Sequence, residues 1–241
     1  MNHIIKQVCP PIAWQILSQL KQKVANKNLP ISNSLSSEIL VEIPEHQELE
    51  IYWSSTMAES LETWGEKTAW HELKFLMMGL EGKVLDIACG TGKNISDLNG
   101  ITYLNLYGCD ISDFLIRKAV ERGLNPDRLK VCDATLTGFE DNFFDYSYSI
   151  GSLEHFTEDG IQKAILESYR ITKYSSFHQI PVSRMNKNEG WIKDDLQSFF
   201  NNSIDWWLEK FNKHYSSVTV LESLWESSMC KGVWFICNKS H

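Results

Sequence analysis

The feature that most constrains the fold is an apolar run that contains an acid and ends in a turn with two glycines. The run is VLDIACGTG, Val84 to Gly92, and a helix is expected to begin directly after it. Glycine lets the backbone pass close to a ligand where a Cβ atom would collide. Open α/β sheets bind their ligands at the carboxyl ends of the strands. The pattern therefore predicts an α/β sheet with a binding site at this turn.

The turn lacks both common phosphate-binding patterns. The dinucleotide pattern needs a third glycine three residues after Gly92, and that position is Ile95. The P-loop pattern needs a Gly-Lys-Ser/Thr ending, which is also absent. Asp86, just before the turn, instead suits a ligand with a cationic end. S-adenosylmethionine fits this requirement, because it carries an ammonium and a sulfonium and no phosphate.

The segment Val84–Gly92 resembles the first motif of class I S-adenosylmethionine-dependent methyltransferases, with Ala88 in place of the usual first glycine. The ends of three later predicted strands also match that family. Asp110 ends the second strand and Asp133 follows the third. The fourth leads into GSLEHF, residues 151–156, which is similar to a segment of ubiquinone-biosynthesis-like methyltransferases. The resemblance implies an enzyme that uses S-adenosylmethionine as its cofactor.

The resemblance also implies an α/β fold of the Rossmann-like type. Its mixed sheet would have seven strands in the order 3-2-1-4-5-7-6, with the last strand antiparallel. An N-terminal helical extension is expected to precede this domain. We expect residues 1–60 to form that extension or lid, and residues 61–241 to form the methyltransferase domain. Apolar spacing predicts a helix at 12–27, a strand at 38–43, and helices at 192–201 and 204–214.

The resemblance assigns roles around the cofactor. Asp110 would accept hydrogen bonds from both ribose hydroxyls, and Asp133 would take the adenine amino group. Aromatic residues before the first strand would cover the site as a lid, although core packing is an equally good explanation for each. The candidate cofactor-binding residues are Asp86, Ala88, Cys89, Gly90, Gly92, Asp110, Ile111, Asp133, Ala134, Ile150, Tyr52 and Trp64.

Catalysis is predicted at the loop after the fourth strand, where active sites of this family open. His155 is the candidate base, because an imidazole titrates near neutrality. Glu154 is expected to orient it, hold the acceptor or contact the cofactor. The alternative is that Glu154 and His155 only hold the loop.

Four further residues are candidates to contact the acceptor. Trp70 and His71 precede the first strand, and as neighbours on a helix they point in different directions. His178 and Arg184 lie on or after the predicted fifth strand, Phe177 to Val182, and can meet an acidic or phosphorylated acceptor. A core or surface position without function is the alternative for each of them.

Composition limits the partners. The 241-residue chain has a net charge of -8, which argues against a general nucleic-acid surface. No apolar run approaches the roughly 18–20 residues of a membrane span, and we expect no signal peptide. The six cysteines form no C-x-x-C pair, which favours free thiols in the cytoplasm. No ligand spacing typical of a metal site is present.

The favoured function is methylation of a small molecule, with an oxygen of a sugar or related metabolite in surface-glycan synthesis as the acceptor. That last step rests on a short likeness of Cys9–Ile12 to some surface-polysaccharide methyltransferases. The alternative acceptors are an amine, a phosphate or phosphoramidate, and a quinone-like lipid. A non-catalytic binding or scaffold protein is the alternative of another class. The N-terminal helix offers a possible peripheral membrane contact, and the sequence leaves the oligomeric state open.

Overall fold

The computed structural model describes residues 47–65, 68–101, 103–194 and 196–240, which fall in the compact unit Val41–His241. The predicted helix at 12–27 and strand at 38–43 lie outside the described residues. The strands are β1 (Gly82–Ile87), β2 (Leu104–Asp110), β3 (Leu129–Val131), β4 (Phe144–Ile150), β5 (Thr172–Ser183), β6 (Trp191–Ile192), β7 (Phe199–Phe200), β8 (Ser217–Glu226) and β9 (Cys230–Asn238). The α-helices are α1 (Ser55–Leu61), α2 (Ala69–Met77), α3 (Lys93–Leu98), α4 (Asp113–Glu121), α5 (Glu158–Ile171) and α6 (Ile204–Phe211).

The main sheet has seven strands in the order β3-β2-β1-β4-β5-β9-β8. The first five are parallel to one another, whereas β9 runs antiparallel between β5 and β8. Since β8 and β9 are the predicted sixth and seventh strands, the predicted sheet order is confirmed, as is the antiparallel last strand. The fold is Rossmann-like, and the carboxyl ends of β1, β2, β3 and β4 meet at one edge of the sheet.

Local sequence signals explain where the helices begin. Ser112 starts α4, and its hydroxyl accepts a hydrogen bond from the Leu115 N–H at 3.2 Å. Thr157 caps α5 in the same way, accepting from the Gly160 N–H at 3.1 Å. Such caps satisfy backbone donors that have no partner inside the helix. The two caps fix the helices that follow β2 and β4, so they also set the loops that face the site.

Two local predictions differ from the structure. The predicted helix at 192–201 is instead a hairpin, in which Trp191 pairs with Phe200 and Ile192 pairs with Phe199. Aromatic and β-branched residues favour such strand pairs over a helix. The fifth strand is also longer than predicted, since β5 begins at Thr172 directly after α5, with no intervening turn.

Gly92 is closely packed against α4 and the residue Leu124 that follows it. Its φ is +70°, and a Cβ atom there would collide with the Leu124 side chain and lie 3.0 Å from the Cβ of Ala119. We expect Gly92→Ala to lower the free energy of unfolding by about 2–4 kcal/mol, through backbone strain and overpacking. Gly100→Ala is the matched control, because Gly100 has open space around it. Urea denaturation of both variants tests this, and equal stability would contradict it.

Candidate cofactor cleft and active site

A cleft of about 680 Å³, its open mouth included, lies at the carboxyl ends of the first four strands. The cleft is bounded on one side by the turn after β1 and on another by the segment before α1. The predicted cofactor residues that line it are Tyr52, Ala88, Gly90, Asp110, Ile111, Asp133, Ala134 and Ile150.

The turn after β1 has a strained, left-handed backbone. Ala88 has φ +59° and Gly90 has φ +55°. Alanine rarely adopts this conformation, whereas glycine does so readily, which explains why the related motif has glycine at the position of Ala88. A Cβ atom on Gly90 would lie 2.9 Å from the Cδ1 atom of Leu61 in α1. Gly90 therefore allows α1 to close over the turn.

Asp110 ties the end of β2 to the glycine turn. Its Oδ2 atom accepts a hydrogen bond from the Gly90 N–H at 2.8 Å, and its Oδ1 atom accepts one from the Ser112 N–H at 2.9 Å. Burial raises the pKa of Asp110, and the backbone donors act in the opposite direction. Each carboxylate oxygen has a further lone pair. Asp110 can therefore accept hydrogen bonds from two neighbouring hydroxyls in the cleft while it holds the turn.

Asp133 stands at the next strand end with an exposed carboxylate. Its Oδ1 atom accepts from the Thr135 N–H at 2.7 Å and from the Thr135 hydroxyl at 2.8 Å. The Cys132 N–H donates to the carbonyl of Asp110 at 2.9 Å, so the two acidic residues are held in one frame. The apolar side chains of Leu115 and Ala134 line the cleft near them. This combination of two acids with apolar walls suits an adenosine group.

Three predicted cofactor residues lie beneath the turn instead of lining the cleft. Asp86 is 1% exposed, and its carboxyl group lies against the buried hydroxyl of Tyr148. Burial, followed by the charge of Asp110, raises the pKa of Asp86 well above its usual range. Cys89 packs in the core against Gly108, and Gly92 packs against α4. None of the three lines the cleft, and their direct contact with a ligand stays a prediction.

A lid covers the cleft from the N-terminal side. It consists of residues 47–53, which include the short 3₁₀ helix Glu50–Trp53, and is followed by α1. Gln47, Leu49 and Tyr52 reach into the cleft. The Tyr52 hydroxyl is hydrogen-bonded to the side-chain amide of Gln197, from the loop before β7. The cleft is thus closed jointly by segments that are far apart in the chain.

Trp64 lies beside the cleft rather than in its wall. Its six-membered ring occupies the space that a side chain on Gly151 would take, since a Cβ atom there would be 2.5 Å from the ring. The ring centroids of Trp64 and Trp225 are 5.4 Å apart. Gly151 itself lines the cleft. The aromatic pair therefore borders the end of β4, next to the loop that carries the predicted catalytic residues.

Glu154 and His155 lie in the 3₁₀ turn Leu153–His155. The Glu154 side chain is buried, and its Oε2 atom has no hydrogen-bond partner among the described residues. Burial raises the pKa of Glu154 to about 8 and lowers that of His155 to about 4. Ser152 and Phe156, which precede and follow this turn, line the cleft. Burial, followed by the charges of Asp110 and Glu154, raises the pKa of Tyr52.

The tautomer of His155 follows from its contacts. Its Nδ1 atom lies 2.8 Å from the carbonyl oxygen of Ser198, which can only accept, so Nδ1 carries the proton. The Nε2 atom is then unprotonated and lies 3.6 Å from Oε1 of Glu154. Glu154 and His155 therefore place a carboxyl group and a neutral imidazole next to each other, both shielded from solvent.

Comparison with known proteins identifies the kind of domain. Residues 84–175 match a family model described as a methyltransferase domain. The chain contains a methyltransferase domain. Together with the Rossmann-like sheet, this match confirms the prediction for this domain, which is of the S-adenosylmethionine-dependent methyltransferase kind and has that cofactor.

Relatives of this methyltransferase domain act on different acceptors. The chain is 33% identical over 123 residues to "Probable tRNA methyltransferase 9B" of Mus musculus, covering 50% of this chain and 26% of that protein. It is 33% identical over 103 residues to "Sterol 24-C-methyltransferase erg6" of Schizosaccharomyces pombe, covering 40% and 27%. The chain thus spans about a quarter of the length of these curated relatives.

The fold of a solved methyltransferase is also similar. The 1,6-didemethyltoxoflavin-N1-methyltransferase of Burkholderia thailandensis, solved with 1,6-didemethyltoxoflavin and S-adenosylhomocysteine, matches with a TM-score of 0.62. The match covers 88% of this chain and 94% of that one, at 11% sequence identity. At this identity the likeness concerns the architecture of the methyltransferase domain.

Two of the predicted acceptor residues lie on α2, outside the cleft. Trp70 is buried, and the Nζ atom of Lys93 lies 4.6 Å from its ring centroid. His71 is exposed and borders a separate surface groove with Phe75 and Leu221. The two side chains point in different directions, as expected for neighbours on a helix. Neither residue lines the cleft, and their contact with the acceptor stays a prediction.

The other two predicted acceptor residues are also engaged elsewhere. His178 is buried within the sheet, where its Nδ1 atom is 2.9 Å from the Ser149 hydroxyl and its ring stacks on Phe211. Burial lowers its pKa to about 3, so it is neutral. Arg184 is exposed, donates to the Ser227 carbonyl at 2.7 Å and pairs with Glu226 at 3.1 Å. Neither residue lines the cleft, and their contact with an acidic or phosphorylated acceptor stays a prediction.

Sequence analysis missed residues that reach the site from distant loops. Gln47 and Gln197 line the cleft, Ser198 contacts His155 through its carbonyl, and Glu48 binds Ser198. They belong to segments without a recognisable motif. Among the described residues, no three His, Cys, Asp or Glu side chains are grouped so as to hold a metal ion, and no helix is long and apolar enough to cross a membrane.

Proposed function

We propose that this protein methylates a hydroxyl group of a small molecule, a sugar or related metabolite of surface-glycan synthesis, with Glu154 as the base. The observation that carries the proposal is the buried Glu154 carboxyl group beside the cleft, with its Oε2 atom unpartnered among the described residues. A neutral hydroxyl needs a base, and a base with a pKa near the working pH is the most effective.

In this proposal, different residues of the cleft bind the cofactor and orient the acceptor. S-adenosylmethionine bound in the cleft supplies an activated methyl group, so the protein mainly has to orient the acceptor and remove its proton. Asp110 and Asp133 hold the adenosine part, and the turn through Gly90 borders the methionine part. Tyr52 and Gln197 close the cleft on the side of Glu154, where the acceptor would enter.

Roles within the Glu154–His155 pair are exchanged relative to the prediction from sequence. A buried imidazole with a pKa of about 4 is a weak base at neutral pH, whereas a carboxylate with a pKa of about 8 is a strong one. In this proposal Glu154 takes the proton, and the unprotonated Nε2 atom of His155, 3.6 Å from Oε1, faces the carboxylic acid that results.

Available side chains favour a neutral acceptor over an anionic one. His178 is buried and neutral, and Arg184 is paired with Glu226. A phosphate or phosphoramidate acceptor would therefore lack the two cations expected to bind it. The aromatic pair Trp64 and Trp225 beside Gly151 can cover one face of a ring. An amine acceptor and a quinone-like lipid stay as alternatives, and the N-terminal helix relevant to a lipid lies outside the described residues.

RNA is a second candidate acceptor, because one curated relative is named as a probable tRNA methyltransferase. The net charge of -8 disfavours binding to a polyanion. We therefore propose a small-molecule acceptor and no nucleic-acid partner. We also place the protein in the cytoplasm, because the five cysteines among the described residues are free thiols.

Calorimetry with S-adenosylmethionine and S-adenosylhomocysteine is the first test. We expect a dissociation constant in the range common for enzyme substrates, ~1 µM–1 mM. Tritium transfer from labelled cofactor is then measured to sugars, amines, phosphate esters, quinols and bulk tRNA. Transfer to a sugar hydroxyl supports the proposal, whereas transfer to tRNA or another class overturns the acceptor. Binding without transfer supports a scaffold protein, and no binding overturns the enzyme.

A further inference from the structure

The lid over the cleft, residues 47–53, is fastened at two places. On one side the Ser112 hydroxyl donates to the Tyr52 carbonyl at 2.7 Å, and the Trp53 indole N–H donates to Asp113 at 2.7 Å. On the other side the lid residue Glu48 accepts from the Ser198 N–H at 3.0 Å and from the Ser198 hydroxyl at 2.9 Å. The two fastenings hold the same lid but reach different parts of the protein.

The second fastening continues to the proposed base. The carbonyl oxygen of Ser198 accepts the hydrogen bond from Nδ1 of His155 at 2.8 Å. Nε2 of His155 in turn lies 3.6 Å from Glu154. A chain of contacts therefore runs from Glu48 through Ser198 and His155 to Glu154. It joins the lid to the active-site loop.

We propose that Glu48 is a positioning residue that couples closure of the lid to the orientation of the Glu154–His155 pair. The proposal rests on the proposed function, in which that pair removes the proton of the acceptor. With Glu48 in place, both donors of Ser198 are held, and its carbonyl points at Nδ1 of His155. The imidazole then keeps its proton on Nδ1 and presents Nε2 to Glu154.

Burial of Ser198 makes its orientation depend on Glu48. Ser198 is 2% exposed, so its backbone and hydroxyl have little access to solvent as a substitute partner. Glu48 itself is exposed, and its charge acts on His155. Losing Glu48 would leave Ser198 free to turn and His155 without a fixed tautomer, while the core stays intact. An open lid has the same effect, so the pair is assembled only when the lid is closed over the cofactor.

Matched variants of the two fastenings test the coupling. Glu48→Ala removes the fastening that reaches His155. Trp53→Phe removes the hydrogen bond to Asp113 on the other side and leaves the one from Ser112 to the Tyr52 carbonyl. We expect both to weaken cofactor binding by a similar factor of about 2–10. Only Glu48→Ala should lower kcat at saturating cofactor, by about 10–100-fold, because a small misplacement of a catalytic group has an effect of this size. Glu48→Gln retains one acceptor oxygen and should fall between wild type and Glu48→Ala.

A second readout needs no acceptor. In nitrogen-15 NMR of the cofactor-loaded protein, the His155 signal, assigned by its loss in His155→Phe, should report the Nδ1-protonated tautomer in wild type and Trp53→Phe. In Glu48→Ala it should report mixed tautomers. An unchanged tautomer in Glu48→Ala, or an equal loss of kcat in Trp53→Phe, would overturn the coupling. If cofactor fails to bind wild type, the proposed function fails, and the tautomer comparison in the unloaded protein still decides the role of Glu48.

Discussion

Replacing Glu154 by glutamine is expected to lower kcat by about 10²–10⁴-fold and to change cofactor affinity by less than about twofold. The amide has nearly the same shape but cannot accept the acceptor's proton. Steady-state kinetics with calorimetry on the same preparation measure both quantities. The wild-type rate should rise with pH up to an apparent pKa of about 8 and then level off, because the carboxyl group must first ionise. Glu154→Gln should lack this rise.

The same substitution should stabilise the protein in alkaline solution. The folded-state pKa of Glu154 is raised by burial from 4.5 to about 8. Below pH 4.5 the Glu154 carboxyl group is protonated in both the folded and the unfolded protein, so it does not lower the free energy of unfolding. Between pH 4.5 and 8 only the unfolded form ionises, so the wild type loses stability as the pH rises. Urea denaturation should find Glu154→Gln more stable than wild type by about 3–5 kcal/mol at pH 9, and similar at pH 5.

Glu140→Gln is the matched control, because Glu140 is an exposed carboxylate on a loop. It should change neither kcat nor the difference in stability between pH 5 and pH 9. Full activity of Glu154→Gln would remove Glu154 from the role of base. If the stability of Glu154→Gln depends on pH in the same way as that of wild type, the raised pKa of the buried Glu154 carboxyl group is contradicted.

Removing the carboxylate of Asp110 should weaken cofactor binding by at least about 100-fold. Asp110→Ala loses the acceptor for the ribose hydroxyls, and charge-assisted hydrogen bonds contribute about 1.5–3 kcal/mol each. It also leaves the N–H groups of Gly90 and Ser112 without their partner, so the glycine turn loses its attachment to β2. Calorimetry with S-adenosylhomocysteine measures the loss, and circular dichroism verifies the fold.

Two further variants separate binding from folding. Asp110→Asn retains one carbonyl oxygen and should keep the turn better than Asp110→Ala, with an intermediate affinity. Asp127→Ala removes an exposed carboxylate near β3 and should bind the cofactor as wild type does. Unchanged affinity in a folded Asp110→Ala would remove Asp110 from the site.

Much of the fold follows from local patterns in the chain. The apolar strands, the acids at their ends and the hydroxyl caps of α4 and α5 are short-range signals, so the sheet order and the placement of Asp110 and Asp133 were predictable. The helix predicted at 192–201 was wrong because pairing of Trp191 with Phe200 outweighs local helix spacing. Periodicity alone does not record which partner a strand will find.

The sequence did not predict how deeply the titratable side chains of the site are buried. His155 was predicted as the base and His178 as an acceptor contact, yet His178 lies inside the sheet and His155 is held neutral by its surroundings. The protonation of a side chain depends on the solvent and charges around it, and these come from distant segments. The same holds for Glu154, whose raised pKa makes it a better base than its neighbour.

The sequence by itself determined the α/β sheet, the turn from Val84 to Gly92, and a cofactor with a cationic end and no phosphate. It could do so because the turn and the strand ends are local, and each carries its own chemical signature. Only the tertiary structure decided which residues meet. It placed Asp86 beneath the turn and set Glu48 against Ser198, 150 positions away in the chain. Contacts of that kind arise from chain folding and leave no local pattern to read.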